Sequence, residues 1–249
     1  MSGGKVVDRL RISDFEDSTH EESFSRHPYL SEPGLRCWFH CLSGARPMIL
    51  ARVGNDVVDL KEPKIAEHYQ RPRFVARVCT ADEAARVGST DDPHRMLWSL
   101  FAAKEAGFKV VAKLAPGIAF SPRRFVVNAE FNSVVHDDVK LWLQVTGADS
   151  WVHAVAGQGP EKPVWTVERR AETVGESDAA RALACRVAVQ HLQINAQGLT
   201  VERHADQRFR DDLGPPCLLL DGQPLEVDLS LSHDGPWVAC ALLEQSSAP

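Results

Sequence analysis

The segment W-S-L-F-A-A-K-E-A-G-F-K, from Trp98 to Lys109, has apolar residues at helical spacing and predicts one long helix over about residues 93–113. On such a helix Glu105 and Lys109 lie one turn apart on the same face, and Lys104 lies about 100° round the axis. A glutamate four residues before a lysine is also an ordinary surface ion pair. The helix alone therefore leaves two interpretations open, a surface pair and a functional carboxylate.

A second segment, V-G-N-D-V-V-D-L at Val53–Leu60, supplies an aspartate that can meet this glutamate. Asp56 follows an apolar strand predicted to end at Gly54, so its carboxylate is expected at the strand mouth; a turn or helix-cap aspartate is the alternative. Asp59 is either a supporting acid or a helix N-cap. Asp56 and Glu105 together offer the oxygen ligands that Mg²⁺ prefers, with lysines nearby. Because phosphate oxygens complete the coordination of Mg²⁺ and lysines offset their charge, this combination predicts phosphoryl chemistry.

The composition indicates a globular protein. Its 249 residues, 44% of them hydrophobic, suffice for a large core, and the net charge of −6 argues against whole-molecule attraction to nucleic acid. The sequence contains no apolar run of about 18 residues and no secretory N-terminal pattern, so we expect a cytoplasmic protein that does not insert into a membrane. Six cysteines without a C-x-x-C pair favour reduced thiols. A metal site at Cys37, His40 and Cys41 is the alternative.

An internal repeat predicts an α+β fold made of two similar halves. At an offset of 103 residues, residues 42–54 resemble residues 145–157, and each copy precedes a predicted helix, the second over residues 177–193. The expected halves are residues 35–134 and 135–245. Each is a small antiparallel sheet packed on a long helix, and the two form a pseudo-dimer with one cleft between them.

The two ends of the chain have contrasting patterns. Residues 1–34 are polar and acidic and are expected to form a flexible arm. The run from Leu229 to Leu242 alternates around a turn at residues 234–236, which predicts a final pair of strands.

These segments together resemble the 4′-phosphopantetheinyl transferase superfamily. Val53–Asp56 resembles its Gly-x-Asp motif, and Trp98–Lys109 resembles its W-S/A…K-E-A/S-x-x-K motif. Phe74–Glu83 resembles the lead into the second helix of the short holo-acyl-carrier-protein synthases, and Ser230–Gly235 resembles the Ser-His turn. The resemblance covers roughly residues 50–125 and 215–243. The motif order is similar to that of the short enzymes, whereas the length and the two halves are similar to the long, surfactin-synthetase-activating type.

The resemblance implies transfer of the phosphopantetheine arm of coenzyme A to a serine of an apo carrier protein, with release of 3′,5′-ADP. Asp56 and Glu105 would bind Mg²⁺, and Glu105, or a water that it orients, would take the serine proton. Lys104 would be a charge partner, while Lys109 would hold phosphate oxygens. The long members usually have an acid where Val58 stands, so only two protein carboxylates are expected here.

The Ser-His turn is implied to complete the coenzyme A site from the second half. There His233 would face Asp56 and Glu105 across the interface between the halves, and both Ser232 and His233 would contact the cosubstrate.

The implied partner is an apo acyl or peptidyl carrier protein. Such carriers are acidic near the modified serine, so the basic cluster Arg71, Arg73 and Arg77 is a candidate docking face; a solvated surface is the alternative. A monomer is expected, because a pseudo-dimer reduces the need for assembly. Two other functions stay open: a carrier-binding homologue without turnover, and an unrelated Mg²⁺-dependent phosphohydrolase.

Overall fold

A computed structural model describes residues 51–245 of the chain. The predicted arm at residues 1–34, most of the first copy of the repeat and the alternative metal site at Cys37, His40 and Cys41 lie outside these residues.

Along the described residues, one strand is followed by three helices, five strands, a fourth helix and five more strands. The helices are α1 (Pro72–Val78), α2 (Ala81–Ser89), α3 (Pro93–Leu114) and α4 (Glu176–Leu192). The strands are β1 (Arg52–Asp59), β2 (Phe125–Val127), β3 (Ser133–His136), β4 (Val139–Ala148), β5 (Trp151–Gln158), β6 (Val164–Arg169), β7 (Leu199–Ala205), β8 (Leu213–Leu220), β9 (Gln223–Pro224), β10 (Val227–Asp234) and β11 (Trp237–Glu244). Three short 3₁₀ helices cover Pro63–Ile65, His68–Gln70 and Pro122–Arg124.

The strands form three antiparallel sheets. The order is β1-β5-β4-β3-β2 in the first, β10-β11-β6 in the second and β7-β8-β9 in the third. Helix α3 packs on the first sheet, and α4 packs on the second and third through a shared apolar cluster. The predicted α+β class, with antiparallel sheets packed on long helices, is confirmed.

Both predicted long helices are present within one residue of their expected ends. The Asp92 side chain accepts a hydrogen bond from the Arg95 amide at 2.9 Å and so caps α3, and Pro93 occupies the first turn. The final strand pair is also confirmed, since β10 and β11 meet at a turn that contains Gly235 with φ of 54°. Of the helices formed within residues 51–245, not one has the length and hydropathy needed to cross a membrane.

The predicted end of the first strand at Gly54 is wrong. Strand β1 continues to Asp59, and Asp56 lies opposite Ala154 of β5 in its middle, with none of its surface exposed. Gly54 is needed for a close approach and does not end the strand: a Cβ there would lie 2.1 Å from the Ala106 carbonyl oxygen of α3. The carboxylate is therefore enclosed between strand and helix, and does not lie at a strand mouth.

The predicted boundary between the halves falls inside strand β3. Residues 134 and 135 both lie inside β3, and strands from both sides of this boundary share the first sheet. Val53 and Gly54, at the end of the first copy of the repeat, pair antiparallel with Gly157 and Ala156 of the second copy. Within residues 51–245, this boundary therefore does not separate one sheet from another, and the two halves and the pseudo-dimer stay predictions.

The described cysteines are thiols. Cys79, Cys185, Cys217 and Cys240 form no disulfide with one another. Burial raises the pKa of Cys79 to about 11 and that of Cys240 to about 12, which makes both poor nucleophiles at neutral pH.

Candidate active site

Strand β1 and helix α3 bring three of the predicted site residues together. The Lys109 ammonium nitrogen lies 3.2 Å from Asp56 Oδ1 and 3.6 Å from Glu105 Oε1. Both carboxylates are buried, whereas a quarter of the Lys109 side chain is exposed. Two acids that lie 49 positions apart in the sequence therefore contact one cationic group at the surface end of a buried site.

The local sequence explains this convergence. Asp56 and Gly54 lie on the same face of β1, because side chains alternate along a strand. The missing side chain at Gly54 lets α3 approach, so Glu105 and Lys109 project towards that face. Lys109 also donates to the Asn55 carbonyl oxygen at 2.8 Å, which ties the helix to the strand edge.

The second sheet reaches the same strand through side chains. Four side chains of β10 accept hydrogen bonds from backbone N–H groups on the outer edge of β1, and we call this row the β1–β10 seam. Its pairs are Val53 N with Asp228 at 2.8 Å, Asn55 N with Ser230 at 2.9 Å, Val57 N with Ser232 at 3.0 Å, and Asp59 N with Asp234 at 2.7 Å. The alternating D-x-S-x-S-x-D pattern at residues 228–234 is the sequence signal for the seam, and the sequence analysis missed it.

Ser232 connects the β1–β10 seam to the candidate site. Its hydroxyl donates a hydrogen bond to Asp56 Oδ1 at 2.8 Å. A residue of β10 therefore contacts the carboxylate on β1. Residues from both sides of the predicted half boundary meet at this contact. The coenzyme A contact predicted for Ser232 stays a prediction.

His233 does not share this position. Adjacent strand residues point to opposite faces, and the His233 Nδ1 atom lies 3.2 Å from Glu176 Oε2 at the start of α4. The prediction that His233 faces Asp56 and Glu105 requires correction, because Ser232 occupies the face of β10 turned towards them. Phosphate binding by His233 stays a prediction.

The Lys104 side chain contacts groups other than the two carboxylates of the site. Its buried ammonium group donates to Glu83 Oε2 at 2.7 Å, to the Pro122 carbonyl oxygen at 3.2 Å and to the Phe125 carbonyl oxygen. Burial lowers the pKa of Lys104, and the Glu83 carboxylate opposes that shift. An ammonium group has three N–H donors, and these contacts occupy all three. These contacts do not support the predicted role of Lys104 as a charge partner at the site, and that role stays a prediction.

Neither Asp59 nor Val58 adds a third acid. Asp59 lies on the opposite face of β1 from Asp56, and its carboxylate accepts the Lys61 backbone N–H at 3.1 Å. Burial raises the pKa of Asp59. Within residues 51–245, no group of three or more His, Cys, Asp or Glu side chains is arranged to bind a metal ion. Asp56 and Glu105 are the two carboxylates of the candidate site, and metal binding by them stays a prediction.

A buried histidine that the sequence analysis missed lies behind the site. The Nε2 atom of His153 is 3.1 Å from the Asn55 side-chain nitrogen, so Nε2 is the acceptor of the amide hydrogen and the imidazole is neutral. Burial lowers the pKa of His153 to about 3, against the attraction of the Asp56 carboxylate.

The neutral imidazole predicts a pH-dependent stability. Between pH 6.5 and about 3 the unfolded chain binds a proton at His153 that the folded chain does not, so stability falls as the pH is lowered through this window. We expect His153→Gln, which keeps an acceptor for Asn55, to reduce the slope of unfolding free energy against pH by up to about 1.4 kcal/mol per pH unit. Urea unfolding at a series of pH values measures both slopes. Equal slopes would contradict a buried neutral imidazole.

The residues that form the core of this site carry a family signature. Residues 52–156 match the model of the 4′-phosphopantetheinyl transferase superfamily. This confirms the superfamily resemblance that the sequence predicted. The matched segment contains Asp56, Glu105 and Lys109, whereas the phosphopantetheinyl transferase model does not extend to Ser232 or His233.

Comparison with solved structures finds similar chains, and a synthase from Neisseria meningitidis is among them. The chain is similar to holo-[acyl-carrier-protein] synthase (AcpS) from Neisseria meningitidis, with 22% identity and a TM-score of 0.36. The match covers 43% of this chain and 95% of the synthase chain. Comparison with curated proteins gives no match.

Proposed function

We propose that this protein transfers the 4′-phosphopantetheine arm of coenzyme A to a serine hydroxyl of an apo acyl or peptidyl carrier protein and releases 3′,5′-ADP. The observation that carries the proposal is the convergence of the Asp56 and Glu105 carboxylates on the Lys109 ammonium group. Both acids lie within the segment that matches the superfamily model. An acid pair beside a partly exposed lysine suits a cosubstrate with a charged diphosphate.

The two carboxylates fit a magnesium site. Carboxylate oxygens are the hard ligands that Mg²⁺ requires, and the proximity of both carboxylates to the Lys109 ammonium group supports a shared cation site. Asp56 and Glu105 would hold the ion. When bound, Mg²⁺ supplies charge stabilisation at the phosphoryl oxygens of coenzyme A.

Bond formation and proton transfer in the proposed reaction involve the carrier serine and side chains of this protein. The carrier serine oxygen forms a bond to the phosphorus that bears pantetheine, and the bridging P–O bond breaks towards 3′,5′-ADP. Glu105, or a water that it orients, accepts the serine proton. Lys109 donates to phosphate oxygens from its partly exposed position.

The proposal is tested by incubating the protein with coenzyme A, Mg²⁺ and a panel of apo carrier proteins, followed by intact mass spectrometry of the carriers. We expect one carrier or more to gain a single phosphopantetheine. Binding of a carrier without any mass gain would identify the homologue without turnover. Consumption of coenzyme A without carrier labelling would identify the phosphohydrolase.

The carrier is proposed to dock at the exposed arginines in and just before α1. Arg71, Arg73 and Arg77 are all exposed. Helix α1 lies close to α3, the helix that carries Glu105. Carrier proteins of this class are acidic near the modified serine, so this face has complementary charge.

Charge reversal at this face tests the docking proposal. We expect Arg73→Glu to raise the KM for the carrier about tenfold while the KM for coenzyme A stays unchanged, because only the protein partner loses an attractive contact. The matched control is Lys140→Glu, which reverses an exposed charge on β4. Steady-state kinetics at low and moderate salt measures both variants. Equal effects of the two changes would place the docking face elsewhere.

A further inference from the structure

We infer that Ser232 is a positioning residue: its hydroxyl aligns the Asp56 carboxylate so that this carboxylate can bind a divalent cation. The inference rests on the proposed function, because the cation is the one that the proposed reaction uses. It assigns Ser232 a role through Asp56, which differs from the coenzyme A contact that the sequence predicted.

The direction of the Ser232 hydroxyl is determined by its partners. A serine hydroxyl has one proton to donate and two lone pairs that accept. The Val57 backbone N–H uses one lone pair at 3.0 Å, and the single proton goes to Asp56 Oδ1 at 2.8 Å. The backbone of β1 therefore holds the hydroxyl in the orientation that supports the neighbouring carboxylate.

Two donors from different elements meet at one carboxylate oxygen. Asp56 Oδ1 receives Ser232 from β10 and Lys109 from α3, at 2.8 Å and 3.2 Å. Two donors that bind one oxygen restrict rotation of the carboxylate about its last torsion. Hydrogen bonds of this kind orient metal-binding carboxylates, and their removal typically costs about 10–100-fold in metal affinity.

Ser230 provides an internal control for this role. It is buried like Ser232, lies on the same face of β10 and accepts the Asn55 backbone N–H at 2.9 Å. Its described hydrogen bonds do not include one to Asp56. Loss of either hydroxyl removes one contact of the seam, but only loss of Ser232 removes the donor to Asp56.

Ser232 lies outside residues 52–156, the segment that matches the superfamily model. The orienting donor therefore comes from the second sheet, whereas both acids come from the matched segment. This makes the alignment of Asp56 depend on the correct position of β10.

The test compares Ser232→Ala, Ser230→Ala and Ser232→Thr in the full-length protein with coenzyme A bound. Mn²⁺ is the probe, and electron paramagnetic resonance of unbound Mn²⁺ measures affinity without any turnover. We expect Ser232→Ala to weaken Mn²⁺ binding about 10–100-fold and Ser230→Ala to change it less than about threefold. Ser232→Thr keeps the hydroxyl and should restore most of the affinity. The Mg²⁺ concentration for half-maximal activity should rise in Ser232→Ala, with the rate recovering at high Mg²⁺.

Thermal unfolding of the same variants separates alignment from stability. Both alanine variants should lose similar stability, because each leaves one β1 N–H without its acceptor. Equal Mn²⁺ affinities in the two variants would overturn the inference, as would a wild-type protein that binds no Mn²⁺. If Ser232→Thr does not fold, the comparison of Ser232→Ala with Ser230→Ala still tests the inference. A wild-type protein that binds Mn²⁺ but labels no carrier would overturn the proposed function, and the alanine comparison would then decide the role of Ser232 alone.

Discussion

Asp56→Asn and Glu105→Gln are each expected to lower the turnover number by at least about 10²–10³-fold. Each amide keeps the volume of the acid that it replaces but removes the negative charge that a bound cation needs. The substituted positions are enclosed between β1 and α3, so water cannot easily take over as a ligand. Steady-state carrier labelling at saturating coenzyme A measures the effect.

The matched control for these variants is Asp59→Asn. Asp59 is a buried acid on the same strand, but it lies on the opposite face from Asp56. We expect its turnover to stay within a few-fold of the wild-type protein. Near-normal rates in Asp56→Asn or Glu105→Gln would show that the catalytic site is assigned to the wrong residues.

Glu83→Ala is expected to lower the free energy of unfolding by about 3–5 kcal/mol. Glu83 holds the Lys104 ammonium and accepts backbone N–H groups from Thr80 at 2.8 Å and Val127 at 2.9 Å. Its removal leaves a buried positive charge without its carboxylate and two amides without acceptors. Chemical denaturation measures the loss, and unchanged stability would contradict the network.

Lys104→Met separates the structural role from a catalytic one. The methionine removes the buried charge but fills much of the same volume. We expect measurable destabilisation, while the folded protein labels carriers at a rate within a few-fold of the wild-type protein. A loss of turnover comparable to that of Glu105→Gln would show that Lys104 acts in catalysis.

The parts of the site that depend on local periodicity could be predicted from the sequence. The spacing of Glu105 and Lys109 on one helix determines that they share a face, and the structure keeps them together. The same helical geometry placed Lys104 about 100° away, yet its partner could not be found. Glu83 lies 21 positions earlier, and only the packing of α2 on α3 brings the two groups together.

The parts that depend on contacts between sheets could not be predicted. Alternation along β10 shows that Ser232 and His233 face opposite ways, but it does not reveal which face meets Asp56. The repeat raised a similar problem. Two segments with matching small and apolar residues can be equivalents in two halves or neighbours in one sheet, and β1 and β5 are neighbours.

The β1–β10 seam also restricts how the sheets can slide past each other. An exposed strand edge offers its N–H groups to any passing strand, and here four side chains occupy those donors. A slip of one residue would turn Leu229, Leu231 and His233 towards these donors and leave all four amides without acceptors. The alternating acceptors therefore disfavour a slip of the second sheet by one residue along this edge. The edge of β1 is thereby closed to pairing with another chain.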